Sequence, residues 1–251
     1  MRKKFFLSIL ICAGIGFAAT PLSFEIIGTL PHNPQSFTQG LIIVGEHIYK
    51  STGSVGRGSK LIQIDKNTGK ELRFVRVPEI FGEGIAFDGS MIWQLSWQEQ
   101  RAFVFTVPAL ERIAEFSYEG EGWGLTFIPQ RQIFAMTNGS SQVIFRDRNF
   151  TQTHVITATK DGIAIDKLNE LEYFNGRIWA NRWYSDTIFA IHPESGVIDK
   201  FIDLTQLRNL ENPSIRDGNV LNGIAVIDEE TLLISGKRWR NFYIIRVKST
   251  H

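Results

Sequence analysis

Beyond residue 19 this chain has no cysteine, and that absence removes disulfides, thiol nucleophiles and cysteine-bound metal from its chemistry. The one cysteine, Cys12, sits in a leader in which Arg2, Lys3 and Lys4 precede an apolar run from Phe5 to Phe17 and the small residues Ala18 and Ala19. That is the pattern of a secretory signal peptide, expected over residues 1–19, so the processed chain is expected in a periplasm or outside the cell. Ile11 stands before Cys12, where a lipoprotein cleavage site needs a small residue, and Cys12 reads as incidental. Long apolar runs are also missing: nothing later approaches the ~18 residues of a membrane span. The chain lacks an excess of either charge. Its 27 basic residues face 26 acidic ones, and loss of the three leader cations leaves 24 against 26, a formal charge of −2. No nucleic-acid partner is expected from such a balance. His32, His47, His154, His192 and His251 show no metal-ligand spacing.

What the chain does have is a repeat. Thr38-Gln39-Gly40-Leu41, Gly82-Glu83-Gly84-Ile85, Gly122-Trp123-Gly124-Leu125, Leu168-Asn169-Glu170-Leu171 and Leu221-Asn222-Gly223-Ile224 align at steps of 44, 40, 46 and 53 residues. Each opens a first strand, and a second strand follows with a bulky pair near its start: Ile48-Tyr49, Ile92-Trp93, Ile133-Phe134, Ile178-Trp179 and Leu232-Leu233. Third strands are expected at Leu61 to Ile64, Ala102 to Phe105, Gln142 to Phe145, Thr187 to Ile191 and Phe242 to Val247. Fourth strands are expected at Leu72 to Val77, Arg112 to Phe116, Thr153 to Thr157 and Val197 to Ile202, after turns such as Asp65 to Gly69. The fifth repeat lacks a fourth strand, and an unpartnered strand, Phe24 to Leu30, precedes the first. These residues predict an all-β, five-bladed β-propeller with four-stranded blades, in which the N-terminal strand closes the last blade. Residues 20–251 are expected to form this single domain, with a short helical or irregular insertion at Leu204 to Asp217.

The first strand of each blade would line a central channel, with Gln39, Glu83, Trp123, Asn169 and Asn222 converging at one end. Second strands end nearby at Ser96-Trp97, Arg182-Trp183 and Gly236-Lys237. One carboxylate, one lysine, amides and three tryptophans describe an apolar-walled pocket with a few polar groups. Glu83, flanked by Gly82 and Gly84, is the candidate acid or base, because glycines allow close approach around a confined carboxylate.

At these positions the chain resembles the plant-type (type II) glutaminyl cyclases, which also occur in bacteria. The resemblance lies in Phe37-Thr38-Gln39-Gly40-Leu41, Ser51-Thr52-Gly53, Phe81-Gly82-Glu83-Gly84, Gln94 to Trp97, Gly122-Trp123-Gly124-Leu125, Leu168 to Tyr173, Trp179 to Trp183, Val220 to Ala225 and Gly236-Lys237-Arg238-Trp239, in order over nearly all of the processed chain. It implies a five-bladed propeller that turns the N-terminal glutamine of a peptide or protein into pyroglutamate and releases ammonia. It further implies Glu83 as catalytic acid/base, Gln39, Asn169 and Lys237 as polar contacts, and Trp97, Trp123 and Trp183 as aromatic walls. Lys237 and Asn169 would meet the charge on the γ-oxygen. A departure occurs at Val55, where the family places a tyrosine.

No cofactor is expected for catalysis; a structural calcium or other divalent ion in the channel is left open. A monomer is expected. Two other readings stand beside the cyclase. One is a secreted scaffold or sugar-binding module whose tryptophan pocket binds without reacting; Glu83 alone would also fit a channel carboxylate that holds a structural cation or stays solvated. The other is a calcium-dependent hydrolase of the lactonase type, for which Glu83 and Glu170 are too few ligands. Trp93, Trp179 and Trp239 read as packing residues between sheets, and Glu170, Asn181 and Asn222 as groups that orient turns or hold a channel ion.

Overall fold

Period-two alternation dictates strands almost throughout, and the computed structural model, which describes residues 18–54, 56 and 58–248, is built from 22 strands with one short α-helix. Most of the expected signal peptide with Cys12, together with Val55 and His251, lies outside the described residues. In chain order the strands begin with β1 (Thr20–Pro31), β2 (Thr38–Val44), β3 (His47–Thr52), β4 (Ser59–Asp65) and β5 (Glu71–Val77). Next come β6 (Gly82–Phe87), β7 (Ile92–Ser96), β8 (Arg101–Phe105) and β9 (Arg112–Ser117), then β10 (Leu125–Ile128), β11 (Ile133–Thr137), β12 (Gln142–Arg146) and β13 (Gln152–Thr157). A small hairpin, β14 (Thr159–Lys160) and β15 (Ile163–Ala164), leads to β16 (Leu168–Phe174), β17 (Arg177–Arg182), β18 (Thr187–Ile191) and β19 (Ile198–Asp203). The insertion is α1 (Thr205–Glu211) and a 3₁₀ turn, Ile215–Asp217, before β20 (Leu221–Val226), β21 (Thr231–Gly236) and β22 (Asn241–Lys248).

The pairing corrects the expected five-bladed propeller with its simple closing strand. Four-stranded sheets form from β2 to β5, β6 to β9 and β10 to β13, but the remaining long strands make one eight-stranded mixed sheet, β16-β17-β18-β19-β1-β22-β21-β20. The cause is β1, whose 12 residues use both edges. Thr20 to Leu22 pair parallel with Lys200 to Ile202 of β19, and Ser23 to Pro31 pair antiparallel with β22 across an irregularity between Ile26 and Gly28. One strand therefore covers two otherwise open edges and joins what sequence reading separates. The large sheet doubles over an apolar layer in which Trp179, Ile188 and Ile202 of one half meet Leu221, Leu232 and Tyr243 of the other, together with Trp239. Its end strands β16 and β20 pack side by side, so the sheet is nearly closed on itself.

Four further apolar layers separate neighbouring strand groups, among them one in which Trp93 stacks on Phe116 and Phe150. At the centre β2, β6, β10, β16 and β20 touch in a closed cycle. Glycine makes that approach feasible. A Cβ on Gly40 would meet the Ile85 nitrogen at 2.6 Å, one on Gly84 would meet the Leu125 nitrogen at 2.5 Å, and one on Gly124 would overlap the Asn169 carbonyl oxygen. In the fourth repeat a carboxylate replaces the glycine: Glu170 accepts hydrogen bonds from the Leu41 and Ile224 amides at 3.2 and 2.9 Å. Asn181 accepts from the Gly223 amide at 2.9 Å. These contacts fix the ends of the five first strands, and hence the side chains just before them.

Gly124→Ala is expected to lower unfolding free energy by about 3 kcal/mol or more, because backbone rather than a mobile side chain must yield. Gly28→Ala, whose added carbon would meet only the Ile244 side chain at 3.4 Å or beyond, serves as the mild comparison. Equal midpoints in urea unfolding would contradict the close-approach account.

Candidate active site

The residues preceding the central contacts come together as the repeat register requires. Gln39, Glu83, Trp123 and Asn169 line one cavity of about 180 Å³, with Trp97, Trp183 and Lys237 contributed from the ends of second strands or just beyond them. All seven sequence candidates therefore share one space. Phe37, Phe81 and Gly218 complete its wall.

Glu83 is 5% exposed, and its Oε1 accepts a hydrogen bond from Gln39 Nε2 at 2.9 Å. Gln39 is itself oriented by Asn222, whose Nδ2 donates to the Thr38 carbonyl at 3.0 Å and to Gln39 Oε1 at 3.4 Å. The chain Asn222, Gln39, Glu83 thus points an N–H at the carboxyl. Burial pushes the Glu83 carboxyl well above the usual range; the Lys237 charge opposes this, and Glu121 and Glu99 add to it. Lys237 is 4% exposed, and burial brings its ammonium down to about 8 against the stabilising charge of Glu83. Its Nζ lies 4.9 Å from the centre of the Phe37 ring. Backbone geometry holds it there: the Lys237 amide donates to the Val220 carbonyl, and Arg238 follows with φ of 58°. The same device follows another wall residue, Trp183, where Tyr184 has φ of 61°. Asn169 is 2% exposed, and its Oδ1 has no hydrogen-bond partner among the described residues. A buried amide left open at a cavity is available to a ligand.

The aromatic wall is a run of edge contacts. Phe37 and Phe81 meet at 6.4 Å, Phe81 and Trp97 at 5.7 Å, and Trp123 and Trp183 at 5.5 Å, all edge to face with interplanar angles of 76°, 62° and 85°. Glu121 joins the two parts: its Oε2 accepts from Trp97 Nε1 at 2.8 Å and Trp123 Nε1 at 2.9 Å, and its Oε1 accepts from Gln98 at 2.9 Å. Burial works against ionisation of Glu121, but these three donors outweigh it and hold the carboxyl below its ordinary range. Sequence reasoning missed this residue. The only signal is its place between Gly120 and Gly122, two residues before the wall tryptophan Trp123.

Among the described residues no three His, Cys, Asp or Glu side chains gather closely enough to hold a metal ion. Glu170 faces backbone amides, and Trp93, Trp179 and Trp239 are in the cores between sheets.

A sequence model described as glutamine cyclotransferase matches residues 11–247. The chain is 34% identical over 232 residues to the glutaminyl-peptide cyclotransferase of Arabidopsis thaliana, covering 89% of this chain and 71% of that protein. Its structure is similar to the crystal structure of Myxococcus xanthus glutaminyl cyclase, with a TM-score of 0.86 and 29% identity over 93% of this chain and all of the other. The chain belongs to the glutamine cyclotransferase family.

Proposed function

We propose that the cavity closes an N-terminal glutamine with Glu83 as the proton relay. The protein is a glutaminyl-peptide cyclotransferase, converting the N-terminal glutamine of a peptide to pyroglutamate with release of ammonia. In that reaction the neutral α-amine attacks the γ-carbonyl carbon, a ring C–N bond forms, and the side-chain amide C–N bond breaks. One proton must leave the attacking nitrogen and one must reach the departing nitrogen. Glu83 takes the first and delivers the second, so it begins and ends as a carboxylate. The observation that carries this assignment is a single carboxyl lining the cavity, buried there and pushed well above its ordinary range by that burial.

Charge that develops on the γ-oxygen needs donors already in place. The Lys237 ammonium and the Asn169 Nδ2 amide hydrogens supply them, while the open Asn169 Oδ1 is an acceptor, and neither donor must be moved out of water at that moment. The tryptophan walls hold the glutamine side chain in its folded shape, which makes the intramolecular attack a positioned event. A cavity of about 180 Å³ is smaller than the ~300 Å³ of ordinary small-ligand pockets and suits one side chain. With both proton transfers and the oxyanion assigned to protein groups, catalysis is taken to need no metal. Both peptides and whole proteins are taken as substrates, since only a chain terminus has to enter.

The protein is further taken to be secreted after removal of residues 1–19, to work in a periplasm or outside the cell, and to act as a single-domain monomer. Two observations support secretion: the leader pattern and the start of β1 at Thr20. No helix among the described residues is long and apolar enough to cross a membrane.

Glu83→Gln preserves size and hydrogen bonding but removes the relay, so kcat for a glutamine-initiated dipeptide should fall ~100-fold or more with little change in KM. Ammonia release by a variant with an unaltered circular dichroism spectrum checks it; near-normal turnover would sink the relay.

The pH profile should move in opposite directions in two other variants. With Glu83 acting first as a base, kcat/KM rises as pH passes upward through its titration. Glu121 raises that titration and Lys237 lowers it. Glu121→Gln should therefore shift the acidic limb to lower pH, and Lys237→Met should shift it to higher pH while also slowing turnover. Limbs that move the same way, or not at all, would show that another group sets the profile.

A further inference from the structure

The aromatic pair Phe37 and Phe81 has two sides. One faces the cavity; the other borders a much larger open groove of about 950 Å³. Gly53 belongs to the groove and lies against the Phe81 ring so closely that a Cβ there would overlap it. The Phe37 ring carries Lys237 from the cavity at 4.9 Å and Arg238 from the groove at 5.2 Å. Cavity and groove are therefore neighbours across one ring pair. A peptide with its first residue in the small cavity must lead its second and later residues out along an adjoining surface.

The groove's charge is uneven. Lys60, Arg76 and Arg238 line it against one carboxylate, Glu71. Glu71 already faces the fully buried Lys50, whose Nζ is 3.5 Å away, and Asn33 Nδ2 at the same distance. Lys60 and Arg76 stand directly opposite one another on β4 and β5. Like charges in that position repel. Neither has a carboxylate within 4 Å among the described residues, whereas elsewhere strand arginines meet acids, as Arg101 meets Glu115 and Arg177 meets Asp199. The two cations converge instead on the exposed Phe74 ring, at 4.6 and 5.5 Å from its centre. A cross-strand pair of cations is held without an acid to balance it, at the edge of the space that a substrate chain must enter.

We infer that this groove binds the segment of the peptide after its N-terminal glutamine and favours acidic side chains there, through Lys60, Arg76 and Arg238. The inference rests on the cyclase reading of the adjoining cavity and adds a substrate class to it. Carboxylates in the groove restore the charge balance that the strands lack, and the interaction is screened by salt because the cations are solvated.

The test compares kcat/KM for Gln-Gly-Asp-Asp-Gly amide and Gln-Gly-Lys-Lys-Gly amide, each expressed relative to Gln-Gly amide, which is too short to reach far along the groove. The acidic peptide should be favoured about three- to tenfold at low ionic strength, as expected for a few exposed charge contacts. That ratio should fall toward one in 0.5 M salt and in Lys60→Gln/Arg76→Gln. Salt dependence in the wild-type protein keeps the test valid should the double variant fold poorly. Equal use of the two peptides, or a preference that survives both salt and substitution, would overturn the inference while leaving cyclase activity intact. Failure to turn over even Gln-Gly amide would instead overturn the cyclase reading, and the groove assignment with it.

Discussion

Backbone packed against backbone at the centre of the molecule is the constraint on which the site depends. Gly40, Gly84 and Gly124 bring β2, β6 and β10 to distances that no side chain could share, and Glu170 ties β16 to β2 and β20 through two amides. Residues one position earlier are forced into one small volume. Gln39, Glu83, Trp123 and Asn169 owe their meeting to this register, although they are separated by 40 residues or more in sequence. A one-residue slip in any strand would turn its functional side chain away. The geometry of the proposed site is a by-product of how closely five strands approach.

The same packing buries Glu83 and Lys237, and burial sets the electrostatics of the cavity. Burial raises the Glu83 carboxyl well above its ordinary range and lowers the Lys237 ammonium to about 8, favouring the neutral form of each. Each charge would stabilise the other, yet burial dominates in both cases. That is the electrostatic setting in which Glu83 is proposed to relay protons. Glu121 acts at one remove. By accepting from two indole nitrogens it orients two walls of the cavity, and by its charge it lifts Glu83 further.

Much of this was legible in the chain because the constraint writes itself into local sequence. A glycine at four of the five central contacts, with Glu170 at the other, and a polar or aromatic residue before each recur along the chain, and the bulky pairs on second strands mark the apolar layers. Sheet partition was not legible. Thr20 to Leu22 abut the leader and pair parallel with β19, and a parallel pairing has no turn to announce it, whereas the antiparallel partnership of Phe24 to Leu30 with β22 follows from an unmatched strand at each end. Glu121 was hidden for a different reason. A glutamate in a glycine-rich loop reads as a solvated charge until two tryptophans from separate loops converge on it. In sequence Asn222 reads as a group that orients a turn or holds a channel ion, and its bond to Gln39 exists only in three dimensions.

The most direct measurement is the titration of Glu83 itself, by carbon-detected NMR of glutamate-labelled protein, with the resonance assigned by its loss in Glu83→Gln. A proton relay at this position requires a carboxyl that remains protonated well above the pH at which free glutamate ionises, and that titrates in step with kcat/KM. A Glu83 resonance already fully ionised at pH 5, in a protein still active there, would contradict it.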